Sequence, residues 1–423
     1  MSSTYTDSQG RPLIAVTGAG MVTSLGAGKA ENWASLTAGK SGIHRITRFP
    51  VEGLRTTIGG TIDFVEVEPL TVPDLSEKLA AMTGEEALQQ SGLEIGDFPG
   101  PLFMAIPPIE VEWPQRTELA RATNVRPVTY PAILDIANRY PQHHARFMFG
   151  GIAERTAERF GTKGAPISLT TACASGATAI QLGVEAIRRG ETEAALVIAS
   201  DASMTSESMI RFSLLSALST QNEKPEGASR PFSKNRDGFV MAEGAAALVL
   251  ESAEHAHRRG AKILGYIAGV GERADGFHRT RSNPDGKAII AAMNLALADS
   301  GVSPDDIDYI NAHGTGTPEN DKMESLGVST VFGERIREIP ISSNKSMIGH
   351  TLTAAGAIEA VISLLTIEHQ CVPPTINYNE PDPTIELDVV PFKARQHRVR
   401  HILSNSFGFG GQNACVVLSA EPA

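Results

Sequence analysis

Cys173 is the residue whose neighbours best suit a nucleophile. It follows the strand-like run PISLTT and precedes a small-residue turn that opens the amphipathic segment ATAIQLGVEA. A thiol at a helix N-terminus faces unpaired N–H groups and the positive end of the helix dipole, which favour the thiolate. Small neighbours let an acyl group approach: Ala172, Ala174, Ser175 and Gly176. A lone cysteine in an apolar setting is more often an unreactive core residue. The small-residue turn beside Cys173 favours a nucleophile instead.

Two later segments place histidines next to glycines and small residues. His313 ends the strand-like run YINAH and precedes the loop GTGT, which includes Thr315 and Thr317 and brings backbone and hydroxyl donors close to a ligand. Lys345 and His350 lie in ISSNKSMIGH, ahead of a further small-residue helix that contains Glu359. Structural alternatives stay open for each: a strand-end histidine, a solvated lysine and a helix-surface glutamate. Any link between Glu359 and a histidine depends on the tertiary fold, since more than two helical turns separate Glu359 from His350.

A glycine turn near the end of the chain is the fourth candidate segment. In ILSNSFGFGGQNACVVL, glycines alternate with Phe407 and Phe409 between two strand-like runs. Glycine permits tight backbone placement beside a ligand, and a mobile phenylalanine can open or close an apolar tunnel. A purely structural turn is the alternative. The remaining cysteines, Cys371 and Cys415, are predicted to be core or strand residues, and the histidines His143, His144, His255 and His257 to lie on the surface.

The elements that must position these residues are predicted by alternating apolar, β-branched runs and helical stretches. LIAVTG, ALVIAS, AALVLE, IDYINAHG and ACVVLS are the strand candidates, and ATAIQLGVEAIRRG and GKAIIAAMNLALADSG are the helix candidates. This alternation predicts an α/β fold with buried, largely parallel strands. We place a boundary near residue 260, which divides the chain into packed halves at 1–260, with the cysteine, and 261–423, with the two histidines. The letters show no internal repeat.

Composition excludes several classes of protein. The 423 residues are 41% apolar, as in a globular chain, and contain no run near the roughly 18 apolar residues that a membrane span needs. The start lacks the order of charges and apolar residues found in secretion signals. Three scattered cysteines fit neither a disulfide framework nor a four-ligand zinc site and favour a reducing, cytoplasmic location. A net charge of -11 disfavours nucleic acid and anionic membranes as partners.

Taken together, the four segments resemble the β-ketoacyl-acyl-carrier-protein synthase family, in its elongating branch with a Cys-His-His active site. Two further stretches carry the resemblance: VTGAGMVTSLGAGKAENWASLTAGKSGI and SRPFSKNRDGFVMAEGAAALVLE. The resemblance implies a thiolase-like fold of two similar βαβαβ-containing halves in five layers, working as a homodimer. It also implies acyl carrier protein as the partner. No metal and no cofactor of the enzyme's own are expected, because the carrier's phosphopantetheine supplies the thioester.

The resemblance assigns a role to each candidate. Cys173 accepts an acyl group, and the backbone N–H groups of Cys173 and Phe409 form the oxyanion hole. His313 and His350 bind the malonyl thioester carbonyl as carbon dioxide leaves, and the resulting carbanion attacks the acyl-cysteine, which elongates the chain by two carbons. Phe409 gates the site. The other implied roles are electrostatic organisation by Lys345, support by Glu359, and pantetheine binding by Thr315 and Thr317.

Rival functions fit the residues less well. Gly18-Ala19-Gly20 after PLIAVT is similar to a dinucleotide-binding turn, but Thr23 stands at the third glycine position, which disfavours an NAD-dependent oxidoreductase. A thiolase would need a second catalytic cysteine, and an initiating synthase an asparagine in place of a histidine. A chain-length-determining partner subunit would lack the nucleophile. A discrete polyketide ketosynthase is the closest alternative to a fatty acid synthase.

One segment departs from the family pattern. Where elongating synthases carry a glycine-rich stretch along the distal acyl tunnel, this chain has LFMAIPPIEVEWPQR, with Pro107, Pro108 and Trp113. Proline restricts the backbone and tryptophan fills volume. We therefore expect a reshaped tunnel end and an unusual acyl substrate, and the preferred chain length stays open.

Overall fold

The computed structural model describes residues 5–422 of the chain. Strands β1 to β15 are, in order, Ile14–Thr23, His44–Arg45, Ile58–Gly59, Leu102–Ala105, Ile167–Leu169, Ala194–Asp201, Gly244–Ser252, Gly265–Ala274, Tyr309–Asn311, Pro340–Ser342, Cys371–Val372, Asp388–Val389, Arg395–Gln396, His401–Phe407 and Gln412–Ser419. Helices α1 to α13 are Lys29–Thr37, Val72–Ser91, Trp113–Ala122, Tyr130–Ala137, Pro141–Arg146, Gly151–Phe160, Ser175–Arg188, Ser206–Leu214, Ala253–Arg258, Lys287–Ser300, Pro318–Phe332, Lys345–Ile348 and Ala355–His369. Short 3-10 helices occur at Pro225–Gly227, Pro304–Asp306, Gly333–Arg337 and Leu352–Ala354.

Eleven strands form one sheet in the order β12-β10-β9-β14-β15-β8-β1-β7-β6-β4-β5. The contact between β1 and β8 is short, from Ile14↔Ile267 to Val16↔Gly265, and divides the sheet into two units. When the strands β1, β4, β5, β6 and β7 are numbered in chain order, the first unit reads 3-2-4-5-1 across the sheet, and the unit built from β8, β9, β10, β14 and β15 reads the same. The fold is therefore duplicated, although the sequence shows no repeat.

The direction of the strands differs from the prediction. In both units the pairs numbered 3-2 and 2-4 are parallel, whereas the pairs 4-5 and 5-1 are antiparallel. The prediction of largely parallel strands was thus wrong for half of these pairings. Helices cover both faces of the antiparallel strands as well. These strands are therefore also continuously apolar, and their sequences cannot be told from those of parallel strands.

The elements stack in five layers, helix, sheet, helix, sheet, helix. Helices α7 and α13 lie in the middle, because each contacts strands of both units. Helices α2 and α6 cover the outer face of the first unit, and α10 and α11 that of the second. The described chain contains one helical segment long and apolar enough to cross a membrane by length and composition, Leu352–His369, and most of it is buried inside the protein. Burial on all sides is what a helix in the middle layer requires.

The two middle helices touch at a pair of glycines near their N-termini. A Cβ atom on Gly176 would lie 2.5 Å from the backbone nitrogen of Ala357, and one on Gly356 would lie 2.6 Å from that of Ala177. Both distances are far below van der Waals contact, so only glycine allows this approach. The contact brings together the segments that enter α7 and α13, which carry Cys173 and His350.

Gly18 and Gly20 have a packing role that the dinucleotide-binding alternative would not require. Both lie inside β1, where a Cβ atom would stand 2.0 Å from the carbonyl oxygens of Ala87 and Thr83 in α2. The glycines let α2 pack closely on the strand, and the chain makes no phosphate-binding turn there.

Most of the smaller expectations agree with the fold. The five strand candidates correspond to β1, β6, β7, β9 and β15, and the two helix candidates to α7 and α10. Cys371 in β11 and Cys415 in β15 are buried, as expected. The prediction that four histidines lie on the surface is confirmed for His144 and His257, which are exposed. It is wrong for His143 and His255, which are half-buried against the acidic partners Glu118 and Glu251. The division into 1–260 and 261–423 stays a prediction.

Candidate active site

Cys173 lies in a tight turn between β5 and α7. Ala172 has a φ of 50°, in the left-handed region that side chains other than glycine rarely adopt. The Ser175 hydroxyl supports this backbone, since it donates to the carbonyl of Ala172 at 2.6 Å and accepts from the N–H of Thr171 at 2.8 Å. Strained turns of this kind cluster at functional sites, where surrounding structure holds them in place. The turn presents Cys173 immediately ahead of the helix, as predicted.

Burial controls the charge of the Cys173 thiol. It raises the pKa of Cys173 to about 11, against the opposing effects of the Phe409 N–H, the Lys345 charge and the N–H of Cys173 itself. The resting group is therefore the neutral thiol, whereas the helix N-terminus alone was expected to favour the thiolate. Both backbone donors proposed for the oxyanion hole are directed at this sulfur.

His313 and His350 converge on the thiol. One nitrogen from each ring and the Cys173 sulfur all lie within 4.8 Å of one another. The two rings meet edge to face, with centroids 5.4 Å apart. Phe239 packs against the ring of His350 at 5.3 Å and Phe407 against that of His313 at 5.8 Å. The aromatic contacts hold both imidazoles in place, and both rings are buried.

Hydrogen bonds assign the tautomers of both histidines. Nδ1 of His350 accepts the N–H of Leu352 at 3.2 Å, which places the ring proton on Nε2, a buried atom without a hydrogen-bond partner among residues 5–422. Nδ1 of His313 lies 3.5 Å from the ammonium of Lys345, which again directs the proton to Nε2. Burial, with a further contribution from the Lys345 charge, lowers the pKa of both histidines well below 6.5. The site thus holds two neutral imidazoles with Nε2–H groups available as donors.

Glu359 is linked to His313 through Lys345. The Lys345 ammonium, at the start of α12, forms a buried ion pair with the Glu359 carboxylate in α13, and each side chain is 1% exposed. Burial raises the pKa of Glu359 to about 7, although the Lys345 charge opposes that rise. The tertiary fold therefore links Glu359 to a histidine, as its role in the site would require. The ion pair holds the Lys345 ammonium beside the His313 ring.

We expect that Lys345→Met destabilises the fold by about 3–5 kcal/mol, because it leaves the Glu359 carboxylate buried without a partner. Urea denaturation of the wild type and the variant measures the change in the free energy of unfolding. The double variant Lys345→Met/Glu359→Gln is the control, since it removes both charges and should recover most of the loss. Equal losses in the single and double variants would contradict the buried pair.

Two supporting carboxylates were missed by the sequence analysis. Glu324 of α11 accepts the backbone N–H groups of His313 at 2.8 Å and Gly314 at 2.7 Å, and so holds the loop that carries the histidine. Asp201, at the end of β6, accepts the N–H of Thr353 at 3.1 Å ahead of α13. Both are fully buried. The signal that could have found Asp201 is an acidic residue directly after an uninterrupted apolar strand, ALVIASD.

Six predicted residues line one cavity of about 60 Å³: Cys173, His313, His350, Phe409, Thr315 and Thr317. Lys345 and Glu359 lie behind its wall. The hydroxyls of Thr315 and Thr317 are 2.9 Å apart, on the loop that opens α11. Phe409 occupies the glycine turn between β14 and β15. The sequence analysis missed a further part of the lining, the loop residues His278, Thr280, Arg281 and Ser282.

The loop at the cavity mouth is hydrogen-bonded to the glycine turn. The N–H of Gly410 donates to the carbonyl of Arg279 at 2.7 Å, and the N–H of Asp275 donates to that of Gly411 at 2.7 Å. Gly410 and Gly411 both have a φ of 88°, which favours glycine. These bonds hold the turn whose Phe409 N–H is directed at the Cys173 sulfur. Cys415, the second cysteine that a thiolase would need, is hydrogen-bonded to Asn405 and is not among the residues lining the cavity.

Comparison with known proteins gives one consistent result. The profile described as "Beta-ketoacyl synthase, N-terminal domain" matches residues 12–256, and "Beta-ketoacyl synthase, C-terminal domain" matches residues 264–379. A 3-oxoacyl-[acyl-carrier-protein] synthase 2 from Coxiella burnetii is 36% identical, covering 96% of this chain and 98% of its own. A putative polyketide beta-ketoacyl synthase 1 from Streptomyces cyaneus is 37% identical, with coverage of 96% and 97%.

A solved structure extends the likeness to three dimensions. It contains a type II PKS acyl-carrier protein in complex with its ketosynthase bound to a hexaketide. The match has a TM-score of 0.86 and 34% identity, and it covers 97% of this chain and 100% of the other.

Proposed function

The chain belongs to the β-ketoacyl synthase family, a family of acyl-transferring condensing enzymes, and from this premise we propose that it is a 3-oxoacyl-[acyl-carrier-protein] synthase of the elongating type. In this role it extends an acyl chain by two carbons in fatty acid biosynthesis. Enzymes of this family need no cofactor themselves, because the acyl carrier protein carries the phosphopantetheine. The observation that carries the proposal is the convergence of one thiol and two neutral imidazole N–H donors in one buried cavity.

The first step is transfer of the acyl group to Cys173. The sulfur attacks the thioester carbonyl carbon, and the N–H groups of Cys173 and Phe409 stabilise the oxyanion that forms. The bond to the pantetheine sulfur then breaks, and the thiol proton of Cys173 leaves with the pantetheine. Because the resting Cys173 thiol is neutral, the buried site does not have to hold a thiolate charge before the acyl donor binds.

In the second step, malonyl-carrier protein replaces the first carrier. The Nε2–H groups of His313 and His350 donate to the malonyl thioester carbonyl, and Thr315 and Thr317 contact the pantetheine arm. The bond to the carboxylate breaks, carbon dioxide leaves, and its electron pair forms an enolate held by the two donors. The enolate carbon attacks the acyl-Cys173 carbonyl. The carbon–sulfur bond breaks, which gives the 3-oxoacyl product and a cysteine thiolate that is reprotonated.

Lys345 and Glu359 organise the charges around the second step. The Lys345 ammonium keeps Nδ1 of His313 unprotonated, so that the ring presents its donor to the substrate. The Glu359 carboxylate compensates the buried cation. Neither step requires a metal ion.

Intact-protein mass after mixing with a panel of acyl-carrier proteins tests the proposal. An acyl adduct, followed by 3-oxoacyl product when malonyl-carrier protein is added, is the expected result. No adduct with any donor would favour a partner subunit without catalysis. The panel also addresses the second candidate function, a discrete polyketide ketosynthase, which the similarity to the Streptomyces enzyme favours. Preference for saturated acyl donors supports fatty acid elongation, whereas preference for poly-3-oxoacyl donors supports the polyketide function.

We further propose that the enzyme works in the cytoplasm as a homodimer, with acyl carrier protein as its partner. Strand β5 stands at the edge of the sheet with Ile167 44% exposed. Helix α4 is apolar, yet none of its residues is buried in the single chain. An uncovered strand edge and an apolar helix without buried residues each suit association with a second copy. A solution mass of a single chain would contradict the dimer.

Phe409→Ala is expected to slow acylation of Cys173 by about 10²-fold, because the turn that aims its N–H at the thiol loses its packing. The Phe409 ring packs against an apolar cluster that includes Phe239 and Leu352. Single-turnover acylation kinetics provide the measurement. Phe277→Ala is the matched control, since this phenylalanine is 53% exposed on the adjacent loop. Normal kinetics in Phe409→Ala would exclude the gate.

A further inference from the structure

The turn that follows His350 is held from the other unit of the fold. Asp201 ends β6, the central strand of the first sheet unit, and Thr353 belongs to the 3-10 helix between His350 and α13 in the second. Oδ2 of the Asp201 carboxylate accepts the Thr353 N–H at 3.1 Å and the Thr353 hydroxyl at 2.7 Å. Both residues are buried. One carboxylate thus joins a strand of the first unit to the loop that carries a histidine of the second.

The hydrogen bonds around Asp201 suit a carboxylate and no other side chain of that size. Its second oxygen, Oδ1, accepts the N–H of Ser203 at 2.9 Å and the Ser203 hydroxyl at 2.6 Å. Four donors therefore face the two oxygens, and an ionised carboxylate offers acceptor sites alone. An asparagine amide would turn its own NH2 donor towards Ser203 or towards Thr353. Burial raises the pKa of Asp201, and the bonds from Ser203 and Thr353 oppose that rise.

The residue between His350 and Thr353 that bears on the ring is Leu352, which has a left-handed backbone. Its φ is 46°, a conformation that side chains other than glycine rarely adopt. Such a backbone persists only where the surrounding structure holds it. The bonds to Asp201 begin at the next residue, so they fix this turn from outside its own stretch of chain.

The Leu352 backbone in turn sets the tautomer of His350. Its N–H donates to Nδ1 at 3.2 Å, and the ring proton then lies on Nε2. The His350 backbone is held separately, because its N–H donates to the carbonyl of Val240 at 2.7 Å and its carbonyl accepts the N–H of Ala242 at 2.9 Å. The location of the histidine therefore does not need Asp201, but the location of its proton depends on where the Leu352 N–H points.

We infer that Asp201 is a positioning residue for decarboxylation: through Thr353 it holds the Leu352 N–H against Nδ1 of His350 and so keeps the donor proton on Nε2. This inference rests on the proposed function and deepens it. Asp201 is not among the residues that line the catalytic cavity, so it acts through the histidine and not on the substrate. Without the carboxylate the turn relaxes, both tautomers of His350 are populated, and only one of them donates to the enolate.

Separate measurement of the two half-reactions tests this role. Asp201→Asn keeps the shape and removes the charge, and it is expected to lower decarboxylation of malonyl-carrier protein about tenfold, the effect of one lost hydrogen bond to a charged group. Acylation of Cys173 should not fall. Burial and, to a smaller extent, the Asp201 charge raise the pKa of that thiol, so loss of the charge favours the attacking thiolate. Equal losses in both half-reactions, or unchanged decarboxylation, would overturn the inference.

Two hydroxyls on the same carboxylate provide a matched pair of variants. Thr353→Val removes a donor on the His350 side, and Ser203→Ala removes one on the β6 side. Only Thr353→Val should slow decarboxylation, about threefold, because it loosens the turn without removing the backbone bond. A carboxylate with a merely structural role would make the two variants alike, and equal decarboxylation rates in the pair would refute the positioning role. The pair also decides the question if Asp201→Asn does not fold.

A double-mutant cycle shows whether Asp201 acts through His350. Asp201→Asn/His350→Ala should decarboxylate malonyl-carrier protein no more slowly than His350→Ala, since the ring that Asp201 positions is already absent. A further loss of about tenfold in the double variant, as additive effects would give, means that Asp201 acts elsewhere and contradicts the inference.

Wild-type activity separates this inference from the proposed function. If the wild type neither accepts an acyl group nor decarboxylates malonyl-carrier protein, the proposed function fails and the inference fails with it. If the wild type does both, and Asp201→Asn and Thr353→Val behave like it, only the role of Asp201 is wrong.

Discussion

Cys173→Ala is expected to abolish acyl transfer and condensation, with a loss of roughly 10⁴-fold or more, while decarboxylation of malonyl-carrier protein continues. The sulfur is the only protein group in the proposed mechanism that forms a covalent bond to the acyl chain. The two histidine donors do not depend on it, since His313 is positioned by Glu324 and Lys345, and His350 by the N–H of Leu352. Acyl adducts by intact mass and carbon dioxide release from malonyl-carrier protein measure the two activities separately.

Cys371→Ala is the control for this substitution. This second buried cysteine lies in β11, outside the catalytic cavity, and its replacement should leave both activities unchanged. An acyl adduct on Cys173→Ala, or a loss of decarboxylation equal to the loss of acylation, would contradict the separation of the two roles.

His313→Ala and His350→Ala are expected to show the reverse pattern. Each removes one of the two N–H donors to the enolate, which should lower the rate of decarboxylation by about 10²–10³-fold. Acylation of Cys173 should persist, because the oxyanion donors of that step are backbone N–H groups. The same two assays measure both effects, and loss of acylation with normal decarboxylation in either variant would contradict the assigned roles.

The donor role also predicts the pH dependence of decarboxylation. The pKa of each histidine is lowered, so the neutral donor form persists as the pH falls through 6.5. The histidines should therefore contribute no titration at that pH, and any titration near neutral pH should come from the buried Glu359 carboxyl, whose pKa is raised to about 7. A decline centred near 6.5 that persists in Glu359→Gln would mean that the rings are solvated and titrate normally.

The local structure around each reactive residue was predictable from the sequence. Cys173 follows an apolar strand and precedes a helix with clear spacing, and the glycine turn around Phe409 lies between two apolar strands, as expected. Local spacing governs such elements. The strand directions were not predictable, since burial on both faces produces the same apolar letters in parallel and antiparallel strands.

The assembly of the site could not be read from the residues alone. His313 and His350 are far from Cys173 along the chain, and only the family resemblance placed the three together. The neutral state of the Cys173 thiol depends on burial, and the tautomers depend on Leu352 and Lys345, so both required coordinates. The proline segment did indicate an altered region, but the cavity that Trp113 and Pro114 border requires residues from several separate stretches of chain.

The glycine contact between α7 and α13 has a consequence for how the reacting groups are spaced. The connections from the third strand of each sheet unit are topological equivalents, and one carries Cys173 while the other carries His350. The distance between the Cys173 thiol and the His350 donor therefore depends on the distance between the two duplicated units. With Gly176 and Gly356 as the spacer, even one methyl group there would push the units apart. Substitution at either position would therefore act twice, by straining the packing of the two middle helices and by lengthening the distance between the nucleophile and the donor.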